Sequence, residues 1–156
     1  MKKYHFFWGG IYSNWYKSKF TVNIYGEDMT FNCGEQYMMF MKATLMDDPD
    51  TAEKVMRTSN PREQKKLGRS IPNFDTKLWE EKRYLIMLKG LMCKFTQDQE
   101  LLEQLLQEDC DEFVEASPYD RIWGIGYDAK NALDNIQDWG ENLLGKIITE
   151  IRNTLR

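Results

Sequence analysis

Gly34-Glu35-Gln36-Tyr37-Met38-Met39-Phe40-Met41-Lys42-Ala43 is the stretch whose reading decides the fold. It predicts a helix. At about 100° per residue, Glu35 and Lys42 complete almost two turns and leave the same face. Met38 and Met39 lie between them and make that face apolar. An acid and an amine so placed are either a surface pair whose stems snorkel over apolar ground or the working face of an active site. The stretch alone leaves both readings open.

Upstream, the pattern is not helical. Phe20-Thr21-Val22-Asn23-Ile24-Tyr25 alternates apolar and polar residues, Gly26-Glu27-Asp28 offers turn chemistry, and Met29-Thr30-Phe31 resumes the alternation, which predicts a β-hairpin. Downstream, Asp50 or Thr51 opens a helix to about Ser59. Asn60-Pro61 caps and starts another, which ends at Gly68 as its C′ residue. Residues 69–74 read as connection. Asp75 caps the longest helix, to about Phe95, with a broad apolar stripe of Leu78, Trp79, Leu85, Ile86, Leu88, Leu91 and Met92. A helix over Gln97–Gln107, a short strand over Phe113–Ala116, a loop over Tyr119–Gly126 and an amphipathic helix over Glu141–Leu155 complete the chain. The expected class is mainly α (α+β), a single helical domain over residues 1–156 with a small N-terminal β-hairpin and one further short strand.

Composition narrows the chemistry. The 156 residues are 42% hydrophobic and 29% charged, within the globular range. With 21 basic and 25 acidic residues the net charge is −4, so charge alone gives no general attraction to a nucleic-acid duplex. Cys33, Cys93 and Cys110 are odd in number and widely spaced, and His5 is the lone histidine. Disulfide frameworks, zinc sites, Ser-His-Asp triads and Cys-His pairs have too little to build on. Met1-Lys2-Lys3 imitates the start of a signal peptide, but no apolar core follows, and no run approaches the ~20 apolar residues of a membrane span. The expectation is a reduced, cytoplasmic protein with no metal, no cofactor and no obligatory protein partner.

Aromatic residues crowd the segments outside the helices: Phe6, Phe7, Trp8, Tyr12, Trp15 and Tyr16 in the opening loop, and Trp123 in Asp120-Arg121-Ile122-Trp123-Gly124-Ile125-Gly126. They are either lids folded onto the core or a stacking platform for a flat polar ligand, where each stacked base contributes about 1–3 kcal/mol. Gly124-Ile125-Gly126 lacks the third glycine of a dinucleotide fingerprint, but it suits a tight turn whose amides approach a ligand. Glu35, Glu115 and Asp120 stand at element edges beside apolar residues and are the candidate acids and bases.

Taken in order, these pieces resemble the YbiA-like proteins, also called the NADAR superfamily. Phe6-Phe7 with Ser13-Asn14-Trp15-Tyr16 is similar to the opening element of that family. Phe31-Asn32-Cys33-Gly34-Glu35-Gln36-Tyr37 followed by Met41-Lys42-Ala43 resembles its helix carrying the glutamate and lysine. Gly68-Arg69, Trp79 with Lys94-Phe95, Val114-Glu115-Ala116-Ser117 with Asp120, Trp123, Gly124 and Gly126, and Asn142-Leu143-Leu144-Gly145 with Ile151-Arg152 follow in the family's order. Two features depart from it. Cys33-Gly34 replaces the usual hydroxyl residues before the glutamate, removing a capping hydroxyl unless the backbone at Gly34 compensates. Tyr127-Asp128-Ala129-Lys130-Asn131 replaces a more glycine-rich run.

The resemblance implies an N-glycosidase that hydrolyses the bond between a ribose anomeric carbon and an amine-type nitrogen. Its implied substrates are nucleotide-like: ribosylamino-pyrimidine phosphates of riboflavin synthesis, or ADP-ribose on guanine, free or within single-stranded nucleic acid. It also implies Glu35, Lys42 and Asp120 as catalytic residues, with Lys42 the Schiff-base nucleophile and Glu35 the proton shuttle. Trp8, Gly9, Tyr12, Asn14, Arg69, Trp79, Trp123 and Gly124 are the implied substrate-binding residues, with Lys65 a second candidate for phosphate. The alternatives are a non-catalytic module that binds ADP-ribose or a nucleotide, and an interaction domain using the aromatics of residues 4–16.

Overall fold

A computed structural model describes residues 1–156, which form two compact units: Asn14–Asp98, and Met1–Ser13 together with Gln99–Arg156. The expected α+β class is what it shows, with helices dominating and strands few and short.

In the unit Asn14–Asp98, strands β2 (Phe20–Ile24) and β3 (Glu27–Phe31) form the expected antiparallel hairpin. The turn is tighter than the sequence suggests. Tyr25 and Gly26, at φ 52° and 87°, make the two-residue connection, so Glu27 and Asp28 already belong to β3. Alternation buries Phe20, Val22, Ile24 and Phe31, and the Tyr37 ring of helix α1 (Gly34–Leu45) meets Phe31 edge-on at 5.2 Å. Helices α2 (Pro49–Arg57), α3 (Pro61–Arg69) and α4 (Thr76–Thr96) all border α1.

Four local expectations are corrected. Helix α2 begins earlier than expected, because Asp48 caps it through the Thr51 amide and Pro49 fills the first turn. Gly68 lies inside α3 and is not its C′ residue. A Cβ there would overlap Met39, so the glycine lets α3 approach α1. Cys33 does cap α1: its Sγ accepts from the Gln36 amide at 3.4 Å and donates to Gln64 Oε1 at 3.2 Å. The thiol thus stands in for the absent hydroxyl. In α4 the buried residues are Trp79, Met87, Gly90, Leu91, Lys94 and Phe95, whereas Leu85 of the expected stripe is exposed.

In the other unit, β1 (Tyr4–Phe7) pairs in parallel with β4 (Glu112–Glu115), from Tyr4 opposite Glu112 to Phe7 opposite Glu115. Sequence patterning did not anticipate this long-range pairing. Helix α5 (Gln99–Gln107) buries Leu101 and Leu105, and α7 (Leu143–Leu155) packs on β4 with Leu144, Ile147, Ile148 and Ile151 buried. Between β4 and α7 lie the one-turn helix α6 (Ala129–Ala132) and a 3₁₀ segment over Leu133–Asp138. Asn142, at φ 53°, bridges to β4 by accepting from the Glu115 amide at 2.9 Å and donating to the Phe113 carbonyl at 3.0 Å. His5 is structural: its Nδ1 is 3.2 Å from Glu108 Oε2 and its ring packs against Tyr12 and Phe113. No helix is long and apolar enough to cross a membrane.

Candidate active site

Helix α1 presents Glu35 in its first turn and Lys42 in its last. Glu35 is only 4% exposed. Its amide donates to the Asn14 carbonyl at 2.8 Å, and its Oε1 accepts from the Trp15 indole at 3.1 Å. The Asn14 side chain lies so close to Gly34 that a Cβ at residue 34 would overlap its oxygen. Glycine before the glutamate is therefore what admits buried Asn14 and the loop that carries Trp15.

Lys42 is half-buried, with its amine 4.8 Å from the Phe74 ring centroid and 5.9 Å from that of Trp79. Burial pushes its pKa below the ordinary lysine value; the Glu35 charge opposes that shift, and the Arg69 charge adds to it. Glu35, Lys42, Arg69 and Trp79 are therefore neighbours in one electrostatic and apolar setting. Trp79 is 6% exposed, so it forms an apolar wall, while Arg69 is exposed at the end of α3. Trp15 and Phe74 are the site residues that sequence reasoning left without a role. An aromatic in the short Ile71–Phe74 connection was the available signal for Phe74, and Trp15 was one of several aromatics in a crowded loop.

Apart from Lys65 in α3, the remaining sequence-derived candidates lie in the other unit. The loops after parallel strands β1 and β4 leave from the same end of that two-stranded sheet. Trp8 follows β1, is 59% exposed and packs against Tyr119 with ring centroids 5.7 Å apart; Gly9 follows it at φ 95°. Asp120 Oδ1 accepts from the amides of Ile122 and Trp123, each at 2.9 Å, and so shapes its own loop. Trp123 is largely buried. Gly124 is obligatory for packing: a Cβ there would come within 2.8 Å of both Oε2 and the backbone oxygen of Glu115. Tyr12 departs most from its implied role. It is 3% exposed, packs on Phe7 and Phe113, and donates to Glu108 Oε1 at 2.9 Å, so its ring faces are spent inside the core.

A helix bearing a buried carboxylate and a desolvated amine, walled by aromatic rings, is an arrangement able to support acid–base or nucleophilic chemistry. The chain belongs to the NADAR domain family, whose profile matches residues 6–156. It is 37% identical to the N-glycosidase R617 of Acanthamoeba polyphaga mimivirus, over 96% of this chain and 95% of that protein. It is 26% identical to the chloroplastic riboflavin biosynthesis protein PYRR of Zea mays, over 83% of this chain and 20% of that much longer protein. The NMR structure of the E. coli protein YbiA superposes with a TM-score of 0.74 at 26% identity, covering 99% of this chain and 85% of that one. Within this family, the chain is a hydrolase of the N-glycosidase class.

Proposed function

We propose that this enzyme hydrolyses the C–N bond between C1 of a ribose and an amine-type nitrogen of a nucleotide-like substrate, through a Schiff base on Lys42, with residues 1–156 acting as one functional domain. The observation that carries the reading is the placement of the half-buried Lys42 amine against Phe74 and Trp79, two turns from Glu35 on one helix, where burial lowers its pKa. A lysine amine that burial makes easier to deprotonate suits the nucleophile that an imine at C1 requires.

The sequence of steps balances as follows. The substrate nitrogen lone pair opens the ribose ring by expelling the ring oxygen, which takes a proton that the later addition of water returns, and C1 is left as a protonated imine. The neutral Lys42 amine adds to C1. A proton passes from the Lys42 nitrogen to the substrate nitrogen by way of the Glu35 carboxyl, the substrate amine departs, and C1 is left doubly bonded to Nζ. Water adds to C1, and the resulting carbinolamine collapses to free Lys42 and the sugar aldehyde. One water is consumed and one amine released.

In this reading Arg69 receives the phosphate, and Asn14 and Trp79 line the sugar and apolar walls. Asp120 assists at the ribose hydroxyls, Trp8 and Trp123 contact the base, and Gly9 and Gly124 allow close polar contacts. Tyr12, by its burial, supports the loop that follows Trp8. The substrate classes are a ribosylamino-pyrimidine phosphate and ADP-ribosyl guanine, the latter free or in single-stranded nucleic acid, in a cytoplasmic setting.

The test incubates the protein with ADP-ribosylated guanosine, the same adduct in single-stranded DNA, and a ribosylamino-pyrimidine phosphate, with and without borohydride. Released amine in one arm, and a reduced adduct whose mass maps to Lys42, are expected. Binding without release in every arm identifies a nucleotide-binding module and overturns the proposal. Turnover that persists in Lys42→Ala overturns the covalent route.

A further inference from the structure

A second lysine, Lys94, sits in the last turn of α4 and is 1% exposed. Its amine lies 5.0 Å from the Phe95 ring centroid and 5.9 Å from that of Tyr16. Burying an amine costs several kcal/mol unless its surroundings compensate, and an apolar side chain of the same length fills such a place more cheaply. Burial also excludes Lys94 as a nucleophile, because no substrate carbon can reach it.

The groups around it are those that hold Glu35. Tyr16 directly follows Trp15, whose indole donates to the Glu35 carboxylate. Cys33, the cap of α1, stands two residues before Glu35, and the charges of Lys94 and Glu35 both act on its thiol with opposite sign. One buried amine therefore borders the Trp15–Tyr16 segment and the start of α1 together.

We infer that Lys94 is a positioning residue for Glu35: its amine holds the Tyr16 ring against the end of α4, so the Trp15 indole stays on Glu35 Oε1 while α1 stays fixed at Cys33. The inference rests on the reading of Glu35 as the proton shuttle, since that is where a loss of position becomes a loss of rate. Lys94 touches no substrate.

The experiment compares Lys94→Met, which keeps length and removes the amine, with Leu91→Ala, a pure packing change on the same helix. The first readout is the Trp15 indole N–H resonance of ligand-free protein. The second is kcat and KM on whichever panel substrate is cleaved. Lys94→Met is expected to melt cooperatively, to move the Trp15 resonance, and to lower kcat about tenfold or more with KM within about threefold. Lys94→Arg, which keeps the charge, is expected to recover part of kcat. Leu91→Ala is expected to lower Tm and leave the resonance and kcat unchanged.

A wild-type resonance or a wild-type kcat in Lys94→Met overturns the inference. If Lys94→Met does not fold, Lys94→Gln is judged by the same criteria. If the wild-type protein cleaves no panel substrate, the N-glycosidase reading fails by itself; the Trp15 resonance then decides, a shift in Lys94→Met supporting the positioning role and no shift overturning it.

Discussion

The Trp15 indole nitrogen donates to Glu35 Oε1 over 3.1 Å and so orients the buried carboxylate of α1 from a neighbouring loop. A hydrogen bond to a charged group contributes about 1.5–3 kcal/mol. Trp15→Phe keeps a ring and removes the donor. We expect kcat to fall about 10- to 100-fold and Tm to drop by several degrees. Steady-state kinetics on the cleaved substrate, alongside thermal melts, check this; an unchanged kcat means the bond has no catalytic use.

In the proposed mechanism the Lys42 amine acts when neutral, so the rate is expected to rise with pH through its pKa. Burial holds that pKa below the ordinary lysine value, which moves the acid limb of the rate profile to lower pH. Phe74→Ala opens the apolar wall 4.8 Å from the amine and lets water in. We expect the acid limb of kcat against pH to shift upward in Phe74→Ala. A limb that stays in place excludes desolvation by Phe74 as its cause.

Lys94 links stability to pH. Burial lowers its folded-state pKa from 10.5 to about 7. Below about 7 the amine is charged in both folded and unfolded chains and the burial penalty is complete; between about 7 and 10.5 the unfolded chain binds more protons, so this group's contribution to stability rises with pH. Denaturant melts at pH 7, 8 and 9 are expected to show a smaller pH-dependent gain in Lys94→Met than in wild type. Parallel slopes contradict this assignment.

Two glycines inside helices separate packing from propensity. Alanine in a helix gains about 1 kcal/mol over glycine where space allows. At Gly90 a new Cβ meets the Tyr37 ring, which cannot yield because its hydroxyl donates to the Ile86 carbonyl at 2.6 Å. At Gly68 it meets the flexible end of Met39. We expect Gly90→Ala to lose about 3 kcal/mol and Gly68→Ala clearly less, read from urea melts. The reverse order refutes the packing account.

Cys33 caps α1 with a thiol that also donates to Gln64. Cys33→Ser preserves both bonds with a stronger donor and acceptor, and we expect stability within about 1 kcal/mol of wild type. Cys33→Ala removes the cap and is expected to cost about 1–2 kcal/mol. Equal melting of the two variants is the result that denies the cap.

Much of the local structure was legible from short-range signals. The alternation over 20–31 gave the hairpin, Asn60-Pro61 and Asp75 gave helix starts, and the period of residues 143–155 gave the last helix. The failures have a common cause. Gly68 reads locally as a helix stop, yet its reason is a sulfur atom on another helix; Lys94 lies outside the apolar stripe expected of its helix, yet it is buried. The parallel pairing of β1 with β4 joins the beginning of the chain to residues 112–115, and no local pattern encodes such a partner.

The sequence by itself determined where helices and the hairpin form, that Glu35 and Lys42 share a helix face, and the family that this order of residues marks. Only the tertiary structure decided that Lys42 is desolvated by Phe74 and Trp79, that Trp15 orients Glu35, and that Tyr12 belongs to the core. Helical period and capping act over a few bonds and can be read along the chain. Desolvation depends on which distant side chains exclude water from a group, and that is settled only when the elements pack.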